Sequence, residues 1–335
     1  MAARVLLLCG GRSAEHEVSL AGARSVLEAA GGNLDLTPVV IDRAGGFLAP
    51  AQSRAAIEQG RAEAGSGTKG LPGLKPDRFD VVFPLLHGPN GEDGATQGLL
   101  RLLGLPFVGS DVLGSAVAMD KPVMKTLLAA EGIPQVGFST VTRARFTHAA
   151  DAVLEQFADW PLPLFVKPAN LGSSIGISRV TARADLRGAL EEAFRHDRRV
   201  IVEEGLDDVR ELELGLLGND APEASPVGEV SFTGGLYDYE TKYTPGRARL
   251  SIPADVPGAV ADECVQLAVR AFRALDLAGL ARVDFFLAAD GRVLLNEVNT
   301  MPGFTQTSMY PRLFGAAGYS YSGLLERLVS LALSR

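Results

Sequence analysis

Cysteine is nearly missing from this chain of 335 residues: there are two, Cys9 and Cys264. That excludes a disulfide framework and a cysteine-type zinc site, and it fits a reducing cytoplasm. Basic residues are in deficit too. With 32 Lys and Arg against 40 Asp and Glu, the net charge is −8, which argues against nucleic acid as a main partner because phosphate-backbone binding draws on a basic surface. No apolar run reaches the length of a membrane span, and the opening run, Val5 to Cys9, is too short for a signal-peptide core. His16, His148 and His196 stand apart from one another and from any metal-ligand spacing. The glycine pair Gly10-Gly11 lacks the spacing of a dinucleotide fingerprint, and no Walker A loop occurs. What remains is an ordinary globular composition, 47% hydrophobic and 21% charged, long enough for two or three domains with full cores.

The N-terminal third alternates strand and helix. Val5 to Cys9, Leu36 to Ile41, Val81 to Leu86 and Pro106 to Val108 read as strands, with helices ending near Ala30 and spanning Ala95 to Leu103. That pattern implies an open α/β sheet, whose ligands gather at the carboxyl ends of the strands. Glu15 and His87 fall at such ends. Glu15 fits either a ligand contact or a helix-start acid favoured by the macrodipole. The segment from His87 to Gly94, with three glycines and a proline, is a shaped loop of the kind that carries function.

A helix from Met119 to Ala130 opens the middle of the chain. Strand Leu164 to Pro168 then leads into a small-residue tip around Gly172-Ser173-Ser174, where successive backbone N–H groups could curl round a phosphate and Lys167 could neutralise its charge. A flexible hairpin with a surface lysine fits the same residues. A helix at Ala182 to Arg195 and strands Arg199 to Glu204 and Glu211 to Leu217 follow, the last with Glu211 and Glu213 on one face. From Ser231 to Ser251 apolar periodicity vanishes while three tyrosines, Lys242, Arg247 and Arg249 collect. This is either a lid for an anionic ligand or an exposed excursion. Helices are expected at Pro257 to Leu275 and Leu324 to Leu333.

The sharpest signal is Ala281 to Gly303. Asp290-Gly291 between apolar runs predicts a two-residue type I′ turn, which pairs Ala289 with Arg292, Phe286 with Leu295, Asp284 with Glu297 and Arg282 with Asn299. By alternation, Val283, Phe285, Leu287, Leu294 and Val298 share the apolar face, while Arg282, Asp284, Glu297 and Asn299 share the other. Carboxylates across a ladder sit roughly 5 Å apart and repel by about 3 kcal/mol at an effective dielectric of about 20. One acid takes up a proton, or a hard cation completed by phosphate oxygens lies between them. The competing reading is a solvated face closed by an Arg282 ion pair.

Taken together, GGRSAEHEVSL, LHGPNGEDG, MDK, VKPANLGSSIG, YDYETKY, RVDF and NEVNTMPG, in that order from Gly10 to Gly303, resemble the ATP-grasp enzymes and, among them, the D-alanine:D-alanine ligase family. The resemblance implies an α/β chain, α+β in its ATP-grasp part. An open α/β domain over 1–118 precedes a central ATP-grasp domain over 119–215. A C-terminal one over 216–335 contains a lid loop at 231–251 and a metal-binding hairpin at 281–303. It implies ATP-dependent joining of two D-alanine molecules through a D-alanyl phosphate for peptidoglycan precursors, with Mg²⁺ or Mn²⁺ as a pair of ions, in a cytoplasmic homodimer without nucleic-acid or membrane partners.

Residue by residue, Lys121, Lys167, Ser174, Lys242 and Asn296 resemble nucleotide contacts. Glu203, Glu204, Leu206 and Glu211 match those around adenine and ribose, although the acid at Glu204 departs from members with lysine there. Asp284, Glu297 and Asn299 resemble the metal ligands. Arg282 resembles the cation that steadies the transferring phosphate. Glu15, with Ser173 and Tyr243, resembles the group receiving the first D-alanine's ammonium, near His87. Gly303 and Ser308 resemble contacts to the second substrate. Tyr243 favours D-alanine over D-lactate as that substrate. A D-lactate-type ligase and a silent nucleotide-binding module are the alternatives, the latter disfavoured by Arg282, Ser173 and Tyr243.

Overall fold

The apolar N-terminal run forms β1 (Ala3–Gly10), with β2 (Leu34–Ile41) and β3 (Val81–Pro84) parallel on either side in the order β2-β1-β3. The structure is a computed structural model describing residues 2–69, 76–172, 175–232 and 248–335. Val5, Leu7 and Cys9 pack into one cluster and Leu6 and Leu8 into another, so β1 is covered on both faces, as parallel strands require. Helices His16–Ala29 and Ala95–Leu102 belong to this unit. The strand expected at Pro106 to Val108 is reduced to a single parallel bridge between Val82 and Phe107. One face of the sheet is closed by the last helix, Tyr321–Leu333, whose Leu324, Leu325 and Leu328 join Val5 and Leu7 in one core.

Two antiparallel sheets follow. β4 (Phe138–Thr142), β5 (Leu164–Pro168), β6 (Ser178–Val180) and β7 (Arg199–Glu204) lie in the order β4-β7-β5-β6. Their core, with Val166, Val200 and Val202, is closed by helix Leu186–His196. The second sheet contains β8 (Arg210–Gly218), β9 (Glu223–Ala224), β10 (Gly228–Phe232), β11 (Ala248–Ser251), β12 (Gly279–Leu287) and β13 (Val293–Asn299). Its order is β11-β10-β8-β12-β13, with β9 beside β8. The expected boundary between 215 and 216 therefore falls inside β8, a central strand of this sheet. Helix Lys121–Ala130, expected to open the central domain, packs Met124 and Leu128 into the core of the second sheet with helix Gly258–Ala274. The region expected as a lid loop begins and ends in strand, since β10 and β11 pair up to Phe232 and Ala248.

The β12–β13 hairpin corrects the predicted turn. Gly291 N donates to Ala288 O and Ala288 N donates to Arg292 O, so the loop has three residues, 289–291, with Gly291 left-handed at φ +88°. This is the turn-plus-bulge form that needs glycine at its last position. Ala289 therefore does not pair with Arg292. Phe285 faces Leu295 and Phe286 faces Leu294, one step off the expected register. A bulge beyond Asp284, with Asn296 as the extra residue, takes the slip back. Asp284 then faces Glu297 and Arg282 faces Asn299, as expected. The bulge also exchanges two leucines, because Val293 and Leu295 enter the apolar core with Val298 while Leu294 does not.

Candidate active site

The polar face of the second sheet carries an acid on each of three neighbouring strands. Asp284 of β12 is in register with Glu297 of β13 and with Glu213 of β8. Residues opposite one another on adjacent strands share a face, so three carboxylates stand in a row. The expectation that only protonation or a metal could relieve their repulsion needs correction. Arg282 grips both oxygens of Asp284, Nε to Oδ1 and Nη2 to Oδ2 at 2.7 Å each, and its Nε is 2.9 Å from Glu213 Oε2. Nor is the face solvated, as the ion-pair reading held: the Arg282, Asp284 and Glu213 side chains are 14%, 13% and 6% exposed. Burial pulls the guanidinium pKa down, but Asp284 and Glu213 outweigh it and raise it well above the ordinary value.

Asp284, Glu297 and Asn299 offer oxygen donors only, the set a hard cation takes. Asn299 Oδ1 accepts from Met301 N at 3.1 Å, and among the described residues no three His, Cys, Asp or Glu side chains form a ready cluster. The donor chemistry fits a divalent ion on condition that Asp284 turns part way from Arg282.

Facing these acids is a cationic group on the central sheet. Glu203 of β7 is in register with Phe138 of β4 and Phe165 of β5. Its Oε2 is 2.6 Å from Lys167 Nζ and its Oε1 is 3.2 Å from Lys125 Nζ. Burial works to raise the Glu203 pKa, yet the two lysines hold it at about 2. The Lys167 pKa is lowered by burial and raised more strongly by Glu203, with further support from Glu297 and Glu211. Glu297 thus acts on both Lys167 of the central sheet and Lys125 of helix Lys121–Ala130, which places it within electrostatic reach of both lysines. Glu204 follows Glu203 on the same strand, so its side chain takes the opposite face, against Gly137, and does not join the lysines. Leu206 is half-buried in the turn after β7.

Between the sheets and the N-terminal unit lies a cavity of about 770 Å³ including its mouth, lined by Glu15, His87, Glu92, Lys121, Arg282, Glu297 and Gly303, among others. Glu15 stands at the start of helix His16–Ala29, beyond the carboxyl end of β1. Gly88, at φ +70°, lets the loop come close: a Cβ there would sit 3.1 Å from Glu15 Oε2. Lys121 Nζ donates to Leu171 O at 2.6 Å, tying the small-residue tip to the helix. Ser308 Oγ accepts from Thr305 N at 3.0 Å and stands beside Gly303. Ser173, Ser174, Lys242 and Tyr243 lie outside the described residues.

His87 is buried, with Nδ1 3.0 Å from Met301 O. A carbonyl can only accept, so Nδ1 carries the proton and Nε2 keeps its lone pair. Burial lowers the His87 pKa against the pull of Glu15.

Three residues of the site escaped the sequence reading: Glu92, Lys125 and Glu213. Glu213 had a signal in the alternation it shares with Glu211. Lys125 had one too, one helical turn after Lys121 on the stripe with Met124 and Leu128. Glu92 was visible only as part of a glycine-rich loop. Its Oε1 accepts from Gly88 N at 2.6 Å, and burial, then Glu15, push its pKa up to about 8.

A carboxyl whose pKa is raised on folding contributes stability that is fully present below the unfolded value, about 4.3, and is lost as pH rises through the folded one. Glu92→Gln, which mimics the protonated form, is therefore expected to match the parent in urea midpoint near pH 5 and exceed it at pH 9. Parallel midpoints across that range would contradict the buried neutral acid.

Comparison with known proteins finds relatives that span nearly the whole chain. Residues 4–110 match the family model described as D-ala D-ala ligase N-terminus, and residues 127–330 match D-ala D-ala ligase C-terminus. The D-alanine–D-alanine ligase of Deinococcus radiodurans is 56% identical over 99% of both chains. That of Geobacillus thermodenitrificans is 45% identical over 100% of this chain and 96% of its own. Among solved structures, the D-alanine-D-alanine ligase from Coxiella burnetii is similar with a TM-score of 0.84 at 35% identity, covering 100% of this chain and 94% of that one. The VanG D-Ala:D-Ser ligase from Enterococcus faecalis gives 0.85 at 33% identity, covering 99% and 100%.

Proposed function

Because this chain belongs to the D-alanine–D-alanine ligase family, we propose that its cleft binds ATP between the two antiparallel sheets and two D-alanine molecules beside the N-terminal unit. The protein is an ATP-dependent ligase of ATP-grasp fold that makes D-alanyl-D-alanine for cell-wall synthesis. The observation that carries the site reading is the opposition of charge. Acids suited to cations stand on one sheet, Asp284 and Glu297 among them, and across from them stand lysines suited to phosphates, Lys167 of the other sheet foremost. A metal–nucleotide complex presents both signs at once.

A carboxylate oxygen of the first D-alanine bonds to the γ-phosphorus of ATP as the bond from that phosphorus to the β–γ bridging oxygen breaks, and ADP leaves. The amine of the second, its ammonium proton given up to solvent, then attacks the acyl phosphate carbon. The C–N bond forms, phosphate leaves with the C–O bonding pair, and the nitrogen's extra proton passes to phosphate or water. A free carboxylate is a poor electrophile, and phosphorylation supplies the leaving group. Arg282 lies where it can balance negative charge on the transferring phosphoryl group and the tetrahedral centre, a fixed cation held by two carboxylates. Glu15 receives the ammonium of the first D-alanine, with His87 alongside. Gly303 and Ser308 meet the second. Asp284, Glu297 and Asn299 hold Mg²⁺ or Mn²⁺, two ions in this reading, which when bound screen the phosphate oxygens. Lys121, Lys167, Glu203, Leu206, Glu211 and Asn296 contact the nucleotide, and Ser173, Ser174, Lys242 and Tyr243 complete the site from segments outside the described residues.

The reading includes a homodimer in the cytoplasm. Exposed Leu102 and Leu113 suit a subunit contact, and a sedimentation mass of one chain would exclude the dimer. Among the described residues no helix is long and apolar enough to cross a membrane.

Purified protein supplied with ATP, Mg²⁺ and D-alanine is expected to release phosphate well above an L-alanine control. D-serine and D-lactate offered beside D-alanine report the second substrate. Equal release with D- and L-alanine would remove the assignment.

A further inference from the structure

Lys125 is 1% exposed and cannot touch a ligand in the cleft, yet it brings a second cation to an acid already paired. Two lysines and one carboxylate at 1%, 11% and 2% exposure leave that trio one positive charge in excess. Packing does not explain this. A buried ion pair is at best near neutral for stability against apolar residues of the same volume, and an unmatched buried cation is worse. Lys125 occupies a helix face that also buries Met124 and Leu128, with its Nζ 5.8 Å from the centre of the Phe138 ring, so a methionine would suit its surroundings.

We infer that Lys125 is a positioning residue for the nucleotide phosphates, engaging Glu203 Oε1 so that Lys167, on Oε2, is never fully neutralised and keeps positive charge for an anion in the cleft. This rests on the ATP reading above. The other acids acting on the lysines are Glu297, for both, and Glu211, for Lys167. They belong to the opposite sheet, and Glu297 is a proposed cation ligand. Once it is engaged by a cation, Glu203 becomes the main counter-charge left to Lys167. Without Lys125, the Glu203–Lys167 pair closes on itself as a neutral unit. Glu203 remains ionised throughout the neutral range, with one oxygen 3.2 Å from Lys125 Nζ and the other 2.6 Å from Lys167 Nζ, so the one carboxylate is placed between the two amines.

The test is Lys125→Met in the full chain, with dissociation constants for ATP, ADP and adenosine by calorimetry. ATP and ADP are expected to weaken by about tenfold or more, equivalent to about 1.4 kcal/mol. Adenosine, which lacks phosphate, should change by less than twofold, and KM for ATP should rise more than kcat falls. Lys125→Gln, which can hydrogen-bond Glu203 without charge, should give the same pattern and stands in if the methionine variant does not fold. Equal weakening of adenosine would mark a structural role and overturn the inference, as would unchanged ATP binding or failure of both variants to fold. Wild-type protein that binds neither ATP nor ADP would instead remove the nucleotide reading itself.

Discussion

Replacing Arg282 with methionine is expected to lower turnover by about 100- to 1000-fold and to cost about 3–5 kcal/mol of folding stability, the ranges for losing a transition-state cation and for breaking a buried charge cluster. Both effects have one cause. The guanidinium is the counter-charge for Asp284 and, at 2.9 Å, for Glu213, and each of those side chains is less than one-seventh exposed. Removing the cation takes away the positive charge that two neighbouring, mostly buried carboxylates share, while Glu297 stands across the ladder from Asp284. Urea unfolding at pH 7 reads the first loss and phosphate release the second. The double variant Arg282→Met with Asp284→Asn removes a charge of each sign, so it should recover part of the stability and none of the turnover. A single variant with the parent's urea midpoint would show that solvent, not Arg282, balances these acids. One with turnover within threefold of the parent would remove Arg282 from the chemistry.

The acids are legible in the sequence because two departures from a simple hairpin cancel. Asp290-Gly291 predicts a two-residue turn, whereas the loop has three residues; the bulge at Asn296 restores the register before Glu297. Nothing in VLLNEVN reveals that bulge, because Leu294 and Leu295 are chemically interchangeable until the core chooses Leu295. The parallel strands β1 and β2 were readable because strands covered on both faces carry unbroken apolar runs. β4 was not, since Phe138–Thr142 is a half-buried edge strand of mixed polarity. Lys125 and Glu213 carry only a weak signal in the sequence, a helical stripe and a strand alternation. A lysine on a helix and a glutamate on a strand acquire meaning only when Glu203 and Asp284 are brought against them. The expected pairing of acids was correct, and their electrostatic balance was not foreseen in full, because Arg282 serves Asp284 and Glu213 at once.

Glu297→Gln should separate what Arg282 combines: turnover is expected to fall by about a thousandfold while the fold is kept. Glutamine has the shape of glutamate, position 297 is half-buried on a polar face, and the register of β13 is set by Leu295 and Val298 on the other side. The urea midpoint should therefore stay near that of the parent, unlike that of Arg282→Met. The loss of rate follows from the metal reading. A hard cation bound by few protein oxygens depends on their charge, and a loss of about 4 kcal/mol in transition-state charge stabilisation corresponds to about a thousandfold. Binding of Mn²⁺, followed by electron paramagnetic resonance in the presence of ADP, should weaken in parallel. Metal-free ATP provides a contrast of opposite sign. Glu297 favours the charged forms of Lys125 and Lys167 and so competes with phosphate for them; its neutralisation should leave metal-free ATP binding unchanged or tighter. A variant that retains Mn²⁺ affinity, or turns over within tenfold of the parent, would move the metal away from Glu297. A variant that loses metal-free ATP binding would show that this acid supports the phosphate site directly.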